Sequence, residues 1–424
     1  MIGCINRMYY YTSSRAPPPP CASAGDIILI AVFFNMTTGF EKKVFDAQEL
    51  APAVALIIGT RPGIIMLSPL IKELGSRDID FFTIHTGQHY SPNMDSTFFE
   101  DLELPQPDYR IQGVSEKRTH GGQTAAMLVG IENILMERRP CIVLVGGDAN
   151  TNLSGALAAR KLRMNLGHIE AGERSYDRTM PEEHNRVIID HISDYLFVTG
   201  DTAVNNLKKE GIIHGVYKTG NPIVDASLQN FELAQSKSSI IRDQSLQPGR
   251  FAVMTMHREE NVDSRQRLHE ALEGVSNAAQ KHGFPVIFSA HPRTLKRLKE
   301  FGLLDWAEQL PGIRTVEAVG YLDFLSLLGN SMLVFTDSGG VQQEACIHRI
   351  PCITLRENTE WTETLQINAN RLSGCNAGRI ADATAEALNS DRNWDAPFGD
   401  GRAAEYIADI VVEEVKKHIV TGAD

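Results

Sequence analysis

The chain has 424 residues, of which 42% are hydrophobic and 22% charged, as is typical of a soluble globular protein with two or three domains. Its formal net charge of -12 and its pI near 5.6 argue against a nucleic-acid-binding surface, but they allow a local basic site for a small anion. Its six cysteines form no C-x-x-C pair and no His/Cys metal spacing. We therefore predict reduced thiols, no metal site and a cytoplasmic location.

The first 44 residues differ in character from the rest of the chain. They contain four consecutive prolines at 17–20 and an apolar run at 27–34, which is shorter than the roughly 20 residues of a membrane-spanning helix. We predict that residues 1–44 are a disordered extension or lie upstream of a start at Met36, and that the protein does not contact a membrane.

Beyond residue 45, short apolar runs alternate with helical patterns in two series. The predicted strands are 53–58, 81–85, 141–145, 164–169, 195–198 and 216–219 in the first series, and 251–256, 285–290, 314–317, 332–336 and 352–355 in the second. This alternation predicts an α/β protein with parallel sheets. The first domain is predicted to end near Gly220, Asn221 and Pro222, and a final amphipathic helix could cross back to it.

Three carboxylates follow strands or begin a helix in the first series. Asp148 follows strand 141–145, Glu170 follows strand 164–169, and Glu182 lies in the first turn of a helix that begins at Pro181. Ligands bind at the carboxyl edge of open parallel sheets, so we expect the three side chains to converge there. Taken alone, an Asp or Glu at such a position is more often a helix cap or a partner of the helix dipole than a catalyst. Crowded carboxylates, however, raise one another's pKa values and so become candidates for acid and base catalysis.

Two strand-turn-helix segments have the character of anion sites. The weaker signal is the segment GTRPG at 59–63, and the stronger is TDSGG at 336–340. In the second segment Ser338 is predicted to cap the helix, while Gly339 and Gly340 would let a diphosphate approach the backbone. Glu344, one turn later, could accept the hydroxyl groups of a ribose. Neither segment is a G-x-G-x-x-G or Walker loop, so we predict no nicotinamide and no other cofactor.

Six motifs together resemble a known family. They are GTRPG at 59–63, HTGQHY at 85–90, GHIEAG at 167–172, PEEHNR at 181–186, MHREENVD at 256–263 and TDSGGVQQEA at 336–345. The sequence resembles the non-hydrolysing UDP-N-acetylglucosamine 2-epimerases of bacteria and archaea. The resemblance implies two Rossmann-like domains of glycosyltransferase-B type with the nucleotide sugar between them. We expect an N-terminal domain at 45–221, a UDP-binding domain at 222–402 and a helix at 403–419 that packs back on the first domain.

The family interconverts UDP-GlcNAc and UDP-ManNAc by eliminating UDP to a glycal and adding it back. The resemblance implies a homodimer and assigns these roles. The catalytic residues are Asp148, Glu170, Glu182 and His257. The UDP-contacting residues are Arg61, Ser338, Gly339, Gly340 and Glu344, and further candidates for substrate contact are Gln88, His89, Arg174 and His291.

The sequence departs from the family pattern at three positions. Met66 stands where a lysine is usual, Ala149 replaces a threonine, and Glu173 replaces a leucine. The change at Met66 removes a cation, and the loss of a charged contact could cost about 1.5–3 kcal/mol of leaving-group stabilisation.

Three other functions remain open at this stage. A hydrolysing relative would release ManNAc and UDP, and free UDP would accumulate in step with the sugar. A glycosyltransferase of the same fold would need an acceptor sugar. A nucleotide-sugar-binding protein whose catalysis has decayed, as the methionine at position 66 would suggest, would bind UDP-GlcNAc without exchange at C2.

Overall fold

The computed structural model describes residues 50–77, 79–88 and 98–421. The predictions for residues 1–44, for Met36 and for His89 lie outside this part of the chain, as does the first half of a helix expected at 94–101. All the statements below concern the described residues.

Two parallel sheets form the framework. The first has the strand order β3-β2-β1-β4-β5-β6-β7 and consists of β1 (Ala51–Ile58), β2 (Phe81–His85), β3 (Tyr109–Arg110), β4 (Pro140–Gly146), β5 (Asn165–Ala171), β6 (Tyr195–Val198) and β7 (Val216–Lys218). The second has the order β10-β9-β8-β11-β12-β13 and consists of β8 (Ala252–Thr255), β9 (Val286–Ala290), β10 (Ile313–Glu317), β11 (Leu333–Thr336), β12 (Cys352–Thr354) and β13 (Asn370–Leu372). The predicted α/β class with two Rossmann-like sheets is confirmed, whereas the short strands β3 and β13 were not predicted.

Helices connect successive strands in both halves. They are α1 (Arg61–Ser76), α2 (His120–Arg138), α3 (Asn150–Lys161), α4 (Pro181–Ile192), α5 (Asp201–Lys209), α6 (Pro222–Lys237), α7 (Ile240–Asp243), α8 (Glu259–Val262), α9 (Arg265–His282), α10 (Pro292–Glu300), α11 (Leu304–Glu308), α12 (Tyr321–Gly329), α13 (Gly339–Ile347), α14 (Thr362–Gln366), α15 (Ala377–Leu388) and α16 (Ala403–Thr421). The sequence patterns did not predict α5, α6 and α15, nor the short helices α7, α8, α11 and α14.

The central strands are buried because their side chains are apolar on both faces. All eight residues of the run from Val54 to Ile58 and from Val143 to Val145 are at most 1% exposed. The strand register brings Ile57 beside Val145 and Gly146 beside Ile169. The carboxyl ends of β1, β4 and β5 therefore lie side by side, and the loops that follow them share one edge.

The chain crosses between the two sheets twice, and the two crossings are hydrogen-bonded to each other. The backbone N–H of Asn221 donates to the carbonyl of Phe398 at 2.8 Å. Gly220 has φ 84°, and a Cβ atom there would lie 3.2 Å from the Phe398 oxygen, so glycine fits both the conformation and the space. Asp225, on α6, accepts hydrogen bonds from the backbone N–H groups of Ala403 and Ala404 at the start of α16.

Helix α16 packs against the first sheet after the second crossing. Ile407 and Val411 are fully buried in the same hydrophobic cluster as Leu67 and Leu70 of α1. This packing returns the end of the chain to the half from which it started.

The four described cysteines are Cys141, Cys346, Cys352 and Cys375, and all are buried free thiols. Burial raises the pKa of Cys141 and Cys375 to about 11. No described helix is long and apolar enough to cross a bilayer. Within the same ranges, no group of three or more His, Cys, Asp or Glu side chains is arranged to hold a metal ion.

Candidate active site

A cavity of about 350 Å³ opens between the carboxyl edges of the two sheets. On the first side it is lined by residues of α1, of the loops after β1 and β4, and of the end of β5. On the second side it is lined by residues that follow β8, β11 and β12. The lining residues include Thr60, Met66, Gly147, Asp148, Glu170, Arg258, Ser338, Gly339, Gly340, Gln343, Glu360 and Trp361. A second cavity of about 120 Å³ shares Asp148, Glu170, Glu360 and Trp361 with the first and adds Glu173, Arg174 and Arg186.

Asp148 and Glu170 face the same space, as the sequence predicted. The Asp148 side chain is 37% exposed and accepts a short hydrogen bond from Arg186. The pKa of Glu170 is raised to about 8. Burial is the main cause, and the nearby negative charges of Asp148 and Glu173 add to it. A carboxyl group with such a pKa can both accept and donate a proton near neutral pH.

A local distortion of β5 sets the direction of Glu170. Its φ is 71°, in the left-handed region that residues other than glycine rarely adopt, and the pairing of β5 with β6 shifts register between Ile169 and Ala171. The Glu170 carboxylate accepts a hydrogen bond from Asn221 Nδ2 at 3.1 Å. Backbone strain of this kind, at a residue lining a cavity, is typical of functional positions.

Glu182 does not line either cavity. It is partly buried in the first turn of α4. The adjacent Glu183 is turned inward and accepts hydrogen bonds from Ser175 and from the backbone N–H of Tyr176 at 2.8 Å. The expected convergence of three carboxylates is therefore found for Asp148 and Glu170 only.

Arg174 lines the smaller cavity, but carboxylates already neutralise its guanidinium group. Its Nη1 lies 2.7 Å from Asp190 and its Nη2 lies 2.8 Å from Glu210. Asp190 is fully buried and is also 2.6 Å from His168 Nδ1. These contacts hold the loop after β5, so the arginine offers little charge to a ligand.

The turn after β11 has the predicted shape but not the predicted cap. Ser338 is the N-cap residue of α13, yet its side chain makes no capping hydrogen bond, so that prediction is wrong. A Cβ atom on Gly339 would lie 2.2 Å from Glu360 Oε1, so any larger residue would have to displace that carboxylate. The first N–H groups of a helix have no partner within the helix, which leaves those at Gly339 and Gly340 directed at the cavity mouth.

Glu344 lies one turn into α13 and is 7% exposed. It accepts a hydrogen bond from the Tyr321 hydroxyl group at 3.0 Å, and burial raises its pKa to about 7. Glu344 is not among the residues that line the two cavities.

His257 is held by a buried carboxylate. Its Nδ1 lies 3.2 Å from Oδ1 of Asp337, which is fully buried and also accepts hydrogen bonds from the backbone N–H groups of His257 and Arg258. The His291 ring centroid is 5.8 Å from that of His257. Burial, followed by the neighbouring His257, lowers the pKa of His291, whose Nδ1 accepts a hydrogen bond from Arg293 N–H and so caps α10.

Two further predicted contacts lie near the loop after β1 without lining the cavities. Gln88 accepts hydrogen bonds from the backbone and hydroxyl group of Thr151, at 2.9 and 2.8 Å. Arg61 is exposed at the first position of α1, 5.9 Å from the centroid of the Phe98 ring.

The structure adds site residues that the sequence did not indicate: Arg186, Asn221, Arg258, Gln343, Glu360 and Trp361. Arg186 and Arg258 fall inside two of the motifs, but nothing in a motif shows which of its side chains faces inward. Glu360 and Trp361 lie in a loop that reads only as rich in helix-capping residues.

Two parallel α/β sheets that share a cleft, with paired carboxylates on one side and a glycine turn at a helix N-terminus on the other, define a nucleotide-sugar enzyme of glycosyltransferase-B type. A sequence profile described as UDP-N-acetylglucosamine 2-epimerase matches residues 72–412. The chain belongs to the UDP-N-acetylglucosamine 2-epimerase family, which confirms the resemblance drawn from the motifs.

Individual relatives agree along almost their whole length. The chain is 48% identical over 366 residues to a UDP-N-acetylglucosamine 2-epimerase of Methanocaldococcus jannaschii, covering 84% of this chain and 98% of the relative. It is 38% identical over 365 residues to a UDP-2,3-diacetamido-2,3-dideoxy-D-glucuronate 2-epimerase of Pseudomonas aeruginosa, covering 85% and 99%. The crystal structure of the Methanocaldococcus jannaschii enzyme in complex with UDP-GlcNAc and UDP superposes with a TM-score of 0.77 at 48% identity, covering 85% of this chain and 99% of that one.

Proposed function

We propose that this protein interconverts UDP-N-acetylglucosamine and UDP-N-acetylmannosamine. The observation that carries the proposal is the pair formed by Asp148 and Glu170, which line one cavity opposite the glycine turn after β11. A nucleotide sugar whose diphosphate lies at this turn would present its sugar ring to the two carboxylates. The Methanocaldococcus jannaschii relative, whose crystal structure contains UDP-GlcNAc and UDP, supports this choice of substrate.

The chemistry requires proton transfer and a departing group at the same time. The proton on C2 of the sugar is not adjacent to a carbonyl group, so its removal alone would be too costly. In the proposed reaction a carboxylate takes this proton, the C2–H electron pair forms a C1–C2 double bond, and the C1–O bond breaks by anti elimination as UDP leaves. A proton then returns to C2 on the opposite face while the UDP oxygen rejoins C1. The product has the atoms of the substrate and the opposite configuration at C2.

The site divides these tasks among groups with suitable properties. Glu170, whose pKa burial raises to about 8, suits proton transfer near neutral pH. The charge of Asp148 is balanced by Arg186, so the two carboxylates occupy different electrostatic environments. His257, oriented through its Nδ1 by Asp337, leaves its Nε2 for a phosphate oxygen.

The other predicted roles are part of the same proposal. The family resemblance supports a catalytic role for Glu182 and substrate contacts for Gln88, Arg61, Arg174, His291 and Glu344. A cytoplasmic homodimer is proposed on the same basis.

Proton NMR of the purified protein with UDP-GlcNAc in deuterated buffer tests the proposal. We expect deuterium to enter C2 and the anomeric signal of UDP-ManNAc to appear with little free UDP. Free UDP and ManNAc in equal amounts would instead identify a hydrolysing enzyme. Binding without exchange would contradict the proposal, as would turnover that depends on an acceptor sugar.

A further inference from the structure

Three buried nitrogen atoms near the glycine turn lack hydrogen-bond partners. Across the described ranges, Arg258 Nε, Gln343 Nε2 and Trp361 Nε1 are buried and make no hydrogen bond. Buried polar atoms are almost always bonded, and each one left without a partner costs about 1–3 kcal/mol. Three such atoms on residues of one cavity therefore call for a functional explanation.

All three residues line the larger cavity together with the turn after β11. Gln343 is the most enclosed of them, with 5% of its surface exposed, and it lies on the first turns of α13. Trp361 Nε1 would lie 3.4 Å from a Cβ atom on Gly339, so the indole N–H is close to the turn itself. The three residues belong to separate elements, since Arg258 precedes α8, Gln343 lies on α13 and Trp361 precedes α14.

The three groups share one chemical property, since an indole N–H, an amide N–H and a guanidinium N–H can only donate hydrogen bonds. A ligand that satisfies them must offer several acceptor atoms close together. A diphosphate meets this requirement, because it carries only acceptor oxygens and bears negative charge.

A carboxylate of the protein already lies at this position. Glu360 Oε1 is the atom that a Cβ on Gly339 would strike, and it lies 3.8 Å from Arg258 Nη2. Glu360 Oε2 also accepts a hydrogen bond from Arg356 at 2.9 Å. A carboxylate oxygen thus lies beside the turn, where Arg356 and Arg258 balance its charge.

We propose that Arg258, Gln343 and Trp361 bind the diphosphate of the nucleotide sugar and stabilise the departing UDP. The inference rests on the proposed function. It also explains how UDP could be stabilised although Met66, which lines the same cavity, stands in place of the usual lysine and carries no charge. Donors that follow strands of the second sheet would take the part of the lysine that is absent at position 66.

The test compares UDP with uridine, which lacks the phosphates. Trp361→Phe removes the indole N–H and keeps an aromatic ring, and Gln343→Met removes the amide donor at similar size. Each variant should weaken UDP binding about tenfold to a hundredfold, the range expected for a hydrogen bond to a charged group. Uridine affinity should stay unchanged, because uridine has no diphosphate. Calorimetry gives the UDP affinity, and NMR titration gives the uridine affinity.

Two controls separate the contact from a general effect on folding. Trp306→Phe makes the same change on α11, where the ring stacks on His269 outside the cavity, and UDP affinity should be unaffected. Gln343→Glu keeps the size of the side chain and adds a negative charge, so UDP binding should fall further than in Gln343→Met. The kcat of each site variant should fall as well, because the donors act on the leaving group.

The outcomes distinguish this inference from the proposed function. If the unchanged protein exchanges C2–H with solvent while both site variants bind UDP as it does, only the inference is overturned. A loss of uridine affinity equal to the loss of UDP affinity would assign these residues to folding and would also overturn it. If the unchanged protein binds no UDP, both proposals fail.

Discussion

The two sides of the cavity have opposite chemistry on the same kind of framework. The carboxylate wall, formed by Asp148, Glu170 and Glu173, offers hydrogen-bond acceptors and groups that can exchange protons. The donor wall, formed by Arg258, Gln343 and Trp361, offers N–H groups. Each wall stands at the carboxyl edge of a parallel sheet. The same topology therefore places loops at the carboxyl edge of each sheet, and the side chains at that edge determine whether it suits proton transfer or phosphate binding.

Glu170→Gln should have the largest effect, because it removes the proton-transfer group and leaves the donor wall intact. We expect deuterium entry at C2 to slow by about 10²–10⁴-fold. UDP affinity measured by calorimetry should remain within about twofold. A large loss of UDP affinity would show that the two walls do not act separately.

Gly339→Ala changes the turn beside the donor wall. The new methyl group would lie 2.2 Å from Glu360 Oε1 and 3.4 Å from Trp361 Nε1, in the space where we propose that the diphosphate binds. UDP affinity should fall by about tenfold or more, since blocking even one hydrogen bond to a charged phosphate has this effect. Gly121→Ala is the matched control, because no atom lies within 4 Å of a Cβ there, and it should leave UDP affinity unchanged. Equal UDP affinity in Gly339→Ala would place the diphosphate elsewhere.

Glu173→Gln should produce a smaller and mainly electrostatic change within the carboxylate wall, because glutamine keeps an oxygen that can accept the hydrogen bond from Thr199. The charge of Glu173 raises the pKa of Glu170, which is about 8. In the direction in which Glu170 accepts the proton, kcat/KM should rise with pH through about 8, and in the reverse direction it should fall. The substitution removes a negative charge and so lowers the pKa of Glu170. The rising pH profile in one direction and the falling profile in the other should therefore both move to lower pH.

The control for this shift of the pH profiles is Glu413→Gln, which changes an exposed carboxylate paired with Lys416 on α16. Its pH profiles should match those of the unchanged protein. Unshifted profiles in Glu173→Gln, measured in both directions, would remove Glu173 from the electrostatics of the site.

The sequence predicted those parts of the site that depend on local patterns. Asp148 was located because an apolar strand ends at two glycines, a boundary that needs no distant contact to recognise. The position of Glu170 was predicted in the same way. Its left-handed backbone and its bond to Asn221 were not, because the register shift depends on pairing with β6.

Features set by distant partners could not be predicted. The pattern did not show whether Glu182 or Glu183 faces inward, since that depends on the loop whose N–H groups bind Glu183. Ser338 has the residue type of a helix cap, yet its side chain makes no such bond. The donor wall is the extreme case, because residues 258, 343 and 361 come from three separate loops and helices and have no common signature in sequence.

The paired crossings of the chain have a mechanical consequence. Because Asn221 and Phe398 are hydrogen-bonded, the two connections between the halves lie side by side. A rearrangement of the halves that separates the two connections would have to break this bond. Asn221 Nδ2 also donates a hydrogen bond to Glu170, so the same connection reaches the carboxylate that we propose as the proton-transfer group.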